Sequence, residues 1–238
     1  MSRKEMIQNA YRFTGKNSFY DGMITCDTLI GKMVCRVVWD MNKEECTEYQ
    51  LRAVSGIPEA FSGRLLEVPV GTGVITMPLY KTLADADIVC LDYSPDMMAL
   101  AEKRAQDMRI GNVSFQQGDV GDLPFESGSF DIVLSMNGFH VFPDKELAHQ
   151  ECFRVLKSGG IFCGCMYVSG VNRRTDWFIR NISQRLKFMS PPQETMRSLK
   201  KRLESSYAQV ELSNLKAIAC FSCRKGYGSF HRISSGHP

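Results

Sequence analysis

From residue 64 onward, short apolar runs alternate with longer stretches whose apolar residues recur at helical spacing. The runs RLLEVPV, ADIVCLDY, NVSFQQGD, SFDIVLSMN and IFCGCMYVSG indicate five successive strands. Such an alternation is typical of a parallel sheet with helices on both faces. The pattern predicts helices near residues 75–85 and over DKELAHQECFRVLKSGG, the latter ended by its two glycines. The clearest helix is SPDMMALAEKRAQDMRIG, with Ser94 as N-cap, Pro95 at the first helical position and Gly111 beyond the end.

Two further apolar runs, YAQVELSN and KAIACFSCRK, indicate a different connection at the end of the chain. Only Asn214 and its neighbours separate them, which is too few residues for a crossover helix, so the two strands are predicted to be antiparallel. The predicted fold class is therefore α/β: a Rossmann-like, seven-stranded, mostly parallel sheet with an antiparallel last strand and helices on both faces. An N-terminal helical cap precedes it.

The same patterns divide the chain. Residues 1–56 are predicted to form the helical cap or lid and residues 57–225 the ligand-binding domain, with a helical substrate-side insertion at about 170–192. In that insertion, Trp177, Phe178 and Ile182 are expected to pack on the core while arginines face solvent, although the arginines could instead favour an anionic substrate. Residues 226–238 lack periodicity and are expected to be disordered or a remnant of cloning.

Composition narrows the function classes. Lys and Arg number 29 against 26 Asp and Glu, a net charge of +3 that argues against a general nucleic-acid-binding surface. No stretch resembles a secretory signal or a membrane span, so a cytoplasmic protein without membrane insertion is expected.

The nine cysteines are scattered and are expected to be reduced and buried. Cys220 and Cys223 have metal-like spacing but no accompanying pair, so no metal site is predicted.

The loop after the first strand, VPVGTG, lies where ligands bind in a doubly wound sheet. A dinucleotide-binding loop needs a third glycine, but Gly71 and Gly73 are followed by Thr76 at that position. The lysine and hydroxyl residue of a triphosphate-binding loop are also absent from GTGVIT. The loop therefore favours a ligand without phosphates.

Acidic residues follow or end three neighbouring strands. Glu67 could orient the amides of the loop or attract a cationic ligand. Asp92, which is 19 residues past Gly73, is placed to accept the hydroxyls of a ribose, and Asp119 to accept from the amine of an adenine. A cationic nucleoside without phosphates that carries both groups is S-adenosylmethionine.

Five motifs in register, EVPVGTG, LDYSPDMM, QGDVGDLPF, FDIVLSMNGFHVF and VLKSGGIF, resemble those of the class I S-adenosylmethionine-dependent methyltransferases. The chain is similar to their small-molecule branch, which includes the ubiquinone and menaquinone biosynthesis methyltransferases. The resemblance implies an enzyme with S-adenosyl-L-methionine as cofactor and S-adenosyl-L-homocysteine as product. It also implies a small-molecule methyl acceptor and no nucleic-acid partner, while the oligomeric state stays open.

The resemblance also implies roles for individual residues. Glu67, Gly71 and Gly73 would shape the methionine pocket, and the Pro69 carbonyl would accept from the cofactor ammonium, although Pro69 replaces the family's usual first glycine. Asp92 would bind the ribose. The other implied contacts are Tyr93, Met97, Asp119 and Val120 at the adenine, Asn137 and Gly138 beside the sulfonium, and Tyr20 with Asp21 in the lid.

His140, just past the fourth strand, is the candidate catalytic base, because histidine titrates near neutral pH. The alternative is a structural residue packed between Phe139 and Phe142. Two other functions stay open from the residues alone: a non-catalytic relative that binds the nucleoside, and a nicotinamide-dependent oxidoreductase on the same kind of sheet.

Overall fold

The structure is a computed structural model that describes residues 18–26, 28–186 and 188–227, with the side chains of residues 18–20 and 23 outside the description. Seven strands form one sheet in the order β3-β2-β1-β4-β5-β7-β6. The strands are β1 Arg64–Glu67, β2 Asp87–Asp92, β3 Val113–Gln117, β4 Phe130–Met136, β5 Leu156–Tyr167, β6 Gln209–Leu215 and β7 Ile218–Arg224. Strand β7 is antiparallel to both β5 and β6, and the other pairs are parallel. The predicted fold class is confirmed.

Helices surround this sheet and precede it. They are α1 Ser18–Thr25, α2 Leu29–Val34, α3 Lys43–Val54, α4 Thr76–Tyr80, α5 Pro95–Asp107, α6 Lys145–Val155, α7 Arg173–Phe178 and α8 Met196–Ser206, with π-helical turns at Cys35–Trp39 and Ile179–Ser183. The N-terminal helices extend the core on one face, where Met41 and Tyr49 join the apolar cluster of the sheet.

Among the described residues, no helix is long and apolar enough to cross a membrane. The predicted domain boundaries stay predictions, and residues 228–238 of the predicted tail lie outside the described chain.

The best-predicted helix, α5, begins as expected and ends earlier. Ser94 is its N-cap, with the Met97 amide donating to Ser94 Oγ over 3.3 Å, and Pro95 is the first helical residue. The helix ends at Asp107, and Arg109 adopts a left-handed conformation with φ of 57°. Gly111 therefore follows the turn without forming it.

The glycine pair after α6 does not end the helix, which corrects the prediction. Helix α6 ends at Val155, and Leu156 already pairs with Phe130 in the sheet. Gly160 lies inside β5, where an added Cβ atom would stand 2.9 Å from the Asp131 carbonyl oxygen. The glycine permits close approach to β4.

The face of α7 that was expected to pack on the core is partly exposed, which is a second correction. Trp177 and Ile182 are 55% and 40% exposed, whereas Thr175 and Ile179 are buried. The Thr175 hydroxyl donates to the Val38 carbonyl over 2.7 Å. The segment therefore docks on the N-terminal helices through Thr175, and this contact sets its orientation.

Cysteine usage also differs from expectation. Cys26 and Cys35 form a disulfide, whereas all were expected to be reduced. The other seven are free and buried, as predicted. Cys220 and Cys223 lie in β7.

Candidate functional site

A cleft opens at the carboxyl ends of β1, β2 and β4. Because parallel strands end at the same edge, the loops that follow them face one another there. The predicted site residues that line the cleft are Glu67, Pro69, Gly71, Gly73, Asp92, Tyr93, Met97, Asp119, Val120 and Asn137. Gly138 and His140 are not in its lining, and the side chain of Tyr20 lies outside the described residues.

The two glycines of the first loop both have positive φ, 57° at Gly71 and 66° at Gly73. Side chains other than glycine rarely adopt this conformation. A Cβ atom at Gly71 would meet nothing within 4 Å, so that position faces the open cleft. At Gly73 it would lie 2.9 Å from Met77 Cγ and 3.3 Å from Ala101 Cβ, because the loop packs on α4 and α5. One glycine thus leaves room for a ligand, and the other permits helix packing.

Asp92 is buried at the end of β2 and holds the loop. Its carboxylate accepts from the Gly71 amide over 2.7 Å and from the Ser94 amide over 2.8 Å. Burial raises the pKa of Asp92 to about 6, opposed by these amide hydrogen bonds. A carboxylate has about four lone-pair sites, so ribose hydroxyls could still donate to it.

The hydrogen-bond partner of Glu67 is not the one that the sequence led us to expect. The Tyr80 hydroxyl donates to Glu67 Oε2 over 2.8 Å, and no amide of the loop donates to it among the described hydrogen bonds. Burial raises the pKa of Glu67 to about 8, opposed by the hydrogen bond from Tyr80. The carboxyl is therefore mostly protonated at neutral pH, which weakens the expected attraction for a cation. Orientation of the loop amides was the other role expected of Glu67, and the described hydrogen bonds do not include it.

Replacing Glu67 with glutamine should flatten the pH dependence of stability. The folded pKa of about 8 lies above the ordinary value of 4.5, so Glu67 lowers the free energy of unfolding as pH rises between these values. The glutamine variant should gain on the order of 3 kcal/mol relative to wild type between pH 5 and pH 9. Urea unfolding at each pH measures this difference. The exposed Glu211→Gln is the control, and parallel profiles for E67Q and wild type would refute the raised pKa.

The other loops complete the cleft. Asp119 Oδ1 accepts from the Gly121 amide over 2.9 Å, which orders the loop after β3. Asn137 has a left-handed φ of 55° at the end of β4, and its side chain accepts from the Cys165 thiol. Gly138 is packed beneath Pro69, where an added Cβ atom would stand 2.4 Å from Pro69 Cδ. Gly138 therefore packs against the loop outside the cleft lining, and its expected position beside the sulfonium stays a prediction.

His140 lies just behind the cleft. It is buried, and its Nδ1 accepts from the Tyr167 amide over 3.1 Å. Burial lowers its pKa to about 3, so the imidazole is neutral at physiological pH. This arrangement matches the structural alternative better than the catalytic one, and the role of His140 as a base stays a prediction.

Helix α1 is tied to the glycine loop through a contact that the sequence did not indicate. The Thr72 hydroxyl donates to Asp21 Oδ1 over 2.6 Å, and Arg104 donates to Asp21 Oδ2 over 2.5 Å. Ile24, one turn later, reaches the cleft lining. The resemblance pointed to the Tyr20–Asp21 pair, but nothing in the local sequence marks Thr72 or Arg104 as its partners. Sequence reasoning also missed the apolar lining residues Met136, Val141, Phe142 and Pro143.

Comparison with known proteins agrees with this geometry. The family described as "Methyltransferase domain" matches residues 66–164. A demethylmenaquinone methyltransferase of Thermus thermophilus is 36% identical over 112 residues, 47% of this chain and 50% of the relative. The rice chloroplast 2-methyl-6-phytyl-1,4-hydroquinone methyltransferase 1 is 32% identical over 100 residues, 42% of this chain and 29% of the relative. The chain thus spans half or less of these curated relatives.

Solved structures share the fold at low identity. A methyltransferase of Thermotoga maritima superposes with a TM-score of 0.64 at 18% identity, covering 94% of this chain and 100% of the other. Phosphoethanolamine N-methyltransferase 2 of Haemonchus contortus, solved with S-adenosyl-L-methionine, gives 0.64 at 15% identity, covering 89% and 60%. Residues 66–164 thus match the methyltransferase domain family, and the chain as a whole shares the fold of these solved methyltransferases.

Proposed function

We propose that this protein transfers a methyl group from S-adenosylmethionine to a small-molecule acceptor. The observation that carries the proposal is the buried Asp92 carboxylate, which accepts from the Gly71 amide in a loop open toward the cleft. The lining also leaves room for a nucleoside beside Gly71.

When bound, S-adenosylmethionine supplies an electrophilic methyl group that is transferred by in-line displacement, so the protein mainly has to position both reactants and exclude water. Asp92 would hold the ribose and Asp119 the adenine, with Tyr93 and Met97 beside the ring. The Pro69 carbonyl would accept from the ammonium. Asn137 stands at the end of β4, where it would border the sulfonium.

The acceptor class follows from the apolar part of the lining. Ile24, Met136, Val141, Phe142 and Pro143 contribute side chains without charge to the cleft. An apolar wall suits a planar organic ring better than a strongly hydrated substrate. Two of the relatives are named for demethylmenaquinone and for a phytyl hydroquinone. We therefore propose a hydroquinone-type acceptor, and the cytoplasmic location and the absence of a nucleic-acid partner stay predictions.

A non-catalytic or differently catalytic relative is the second candidate. The structure of a protein described as the [4+2]-cyclase SpnF shares the fold, with a TM-score of 0.63 at 17% identity over 78% of this chain. The fold therefore does not by itself specify methyl transfer. Only turnover distinguishes the two candidates, because both would keep the nucleoside cradle.

The test has two stages. Calorimetric titration with S-adenosylhomocysteine and, separately, with NAD should show micromolar binding of the homocysteine nucleoside alone. Labelled S-adenosylmethionine is then incubated with a demethylmenaquinol analogue or with phosphoethanolamine. Label transfer to the quinol alone would support the proposal in full. Transfer to phosphoethanolamine would refute the acceptor class, and binding without transfer to either would favour the second candidate.

His140→Ala in the same assay decides whether that residue affects turnover without affecting nucleoside affinity.

A further inference from the structure

Three cysteines that are well separated along the chain converge within the N-terminal helices. Cys26 follows α1, Cys35 begins the π-helical turn and Cys46 lies in α3. All three are at most 3% exposed, and their sulfur atoms all lie within 4.8 Å of one another. Among the described residues, no other group of three histidine, cysteine or acidic side chains converges in this way.

The third cysteine distinguishes this cluster from an ordinary disulfide. Cys26 and Cys35 are bonded, and Cys46 Sγ lies only 2.8 Å from Cys26 Sγ. A disulfide needs two sulfur atoms, whereas three converging sulfur atoms are a ligand set for a thiophilic ion.

Before three thiolates can bind an ion, the Cys26–Cys35 disulfide must be reduced, and a dithiol can serve as the reductant. The dithiol gives two electrons and two protons to the Cys26–Cys35 bond, which yields two thiols and leaves the reductant as a cyclic disulfide. A Zn²⁺ ion then displaces three protons from the three thiols and forms three Zn–S bonds. With Zn–S bonds of about 2.3 Å and tetrahedral angles, the sulfur atoms would stand about 3.8 Å apart. In the structure the three sulfur atoms already lie within 4.8 Å of one another, so all three are close enough to share one ion.

We propose that reduced Cys26, Cys35 and Cys46 form a three-thiolate site for a thiophilic divalent ion, with Zn²⁺ as its occupant. The fourth coordination position is left to water, because the described residues offer no fourth cysteine, histidine or acid in the cluster. The site joins the end of α1 to α3 and so holds the helix that carries Asp21 to Thr72 of the glycine loop and Ile24 to the cleft. Under oxidising conditions the sulfur atoms of Cys26 and Cys35 form the disulfide. This proposal is independent of methyl transfer.

Cobalt titration tests the site directly. The whole protein is reduced with dithiothreitol, freed of reductant under nitrogen and titrated with Co²⁺, whose thiolate complexes show a ligand-to-metal charge-transfer absorption. One equivalent of Co²⁺ should saturate the signal, and Zn²⁺ should displace it. Cys46→Ala should weaken binding at least tenfold. The matched control is Cys223→Ala, which removes a buried free cysteine from β7 and should leave the titration unchanged.

A second readout does not depend on variants. Alkylation mapped by mass spectrometry should show that Zn²⁺ protects Cys26, Cys35 and Cys46 in the reduced wild-type protein. Absence of the charge-transfer signal in wild type would overturn the proposal. So would equal binding by folded Cys46→Ala, or protection confined to other cysteines. If the variant does not fold, as judged by circular dichroism, the protection map alone decides the outcome.

Discussion

Replacing Asp92 with alanine should weaken the binding of S-adenosylhomocysteine by on the order of 100-fold, about 3 kcal/mol. The substitution removes the acceptor of the Gly71 amide at 2.7 Å and of the Ser94 amide at 2.8 Å, so the loop loses its anchor. It also removes the carboxylate proposed to hold the ribose. Charge-assisted hydrogen bonds contribute about 1.5–3 kcal/mol each, which makes this the largest expected effect on binding. Isothermal titration calorimetry measures it.

The control lies on the same strand. Asp87 is the first residue of β2 and lies at the amino-terminal ends of the strands, away from the cleft. Its side chain is exposed and pairs with Arg64. Asp87→Ala removes one carboxylate without touching the cleft, so its affinity should stay within about twofold of wild type. If both variants bind equally, or if Asp92→Ala binds like wild type, the nucleoside site proposed at β2 is wrong.

Replacing Gly164 with alanine should have the largest effect on stability. Gly164 pairs with Ser135 between β5 and β4, and an added Cβ atom would stand 2.0 Å from the Ser135 carbonyl oxygen. Its φ of 151° is also one that other residues rarely adopt. Because the obstacle is backbone in the centre of the sheet, no side-chain rotation can relieve it. The expected loss exceeds about 4 kcal/mol in the free energy of unfolding, or the variant does not fold.

Gly111→Ala provides the comparison for this prediction. An added Cβ atom at Gly111 would meet no atom within 4 Å. The free energy of unfolding of that variant should therefore stay within about 1 kcal/mol of wild type in urea titrations. A Gly164→Ala protein as stable as Gly111→Ala would show that β4 and β5 are not as close as the structure places them.

The sequence by itself determined the class of fold and the location of the cleft. Hydrophobic periodicity is a local property, so it identified the strands, the start of α5 after its N-cap Ser94 and the antiparallel pair at the end of the chain. Parallel strands place their carboxyl ends at one edge, so Asp92 and Asp119 could be assigned to the same cleft without coordinates. Motif order then indicated the resemblance to the methyltransferase family, whose domain model matches residues 66–164.

Other features depended on contacts between segments that are distant along the chain. Helix α6 ends before its glycines because β5 must approach β4, and Trp177 is exposed because Thr175 docks on the N-terminal helices. His140 lies behind the cleft because its imidazole accepts from the backbone of β5. The raised pKa of Glu67 and the convergence of three cysteines follow from burial and from helix packing. Only the tertiary structure decides these features, because burial and proximity belong to the packed chain and are absent from its local pattern.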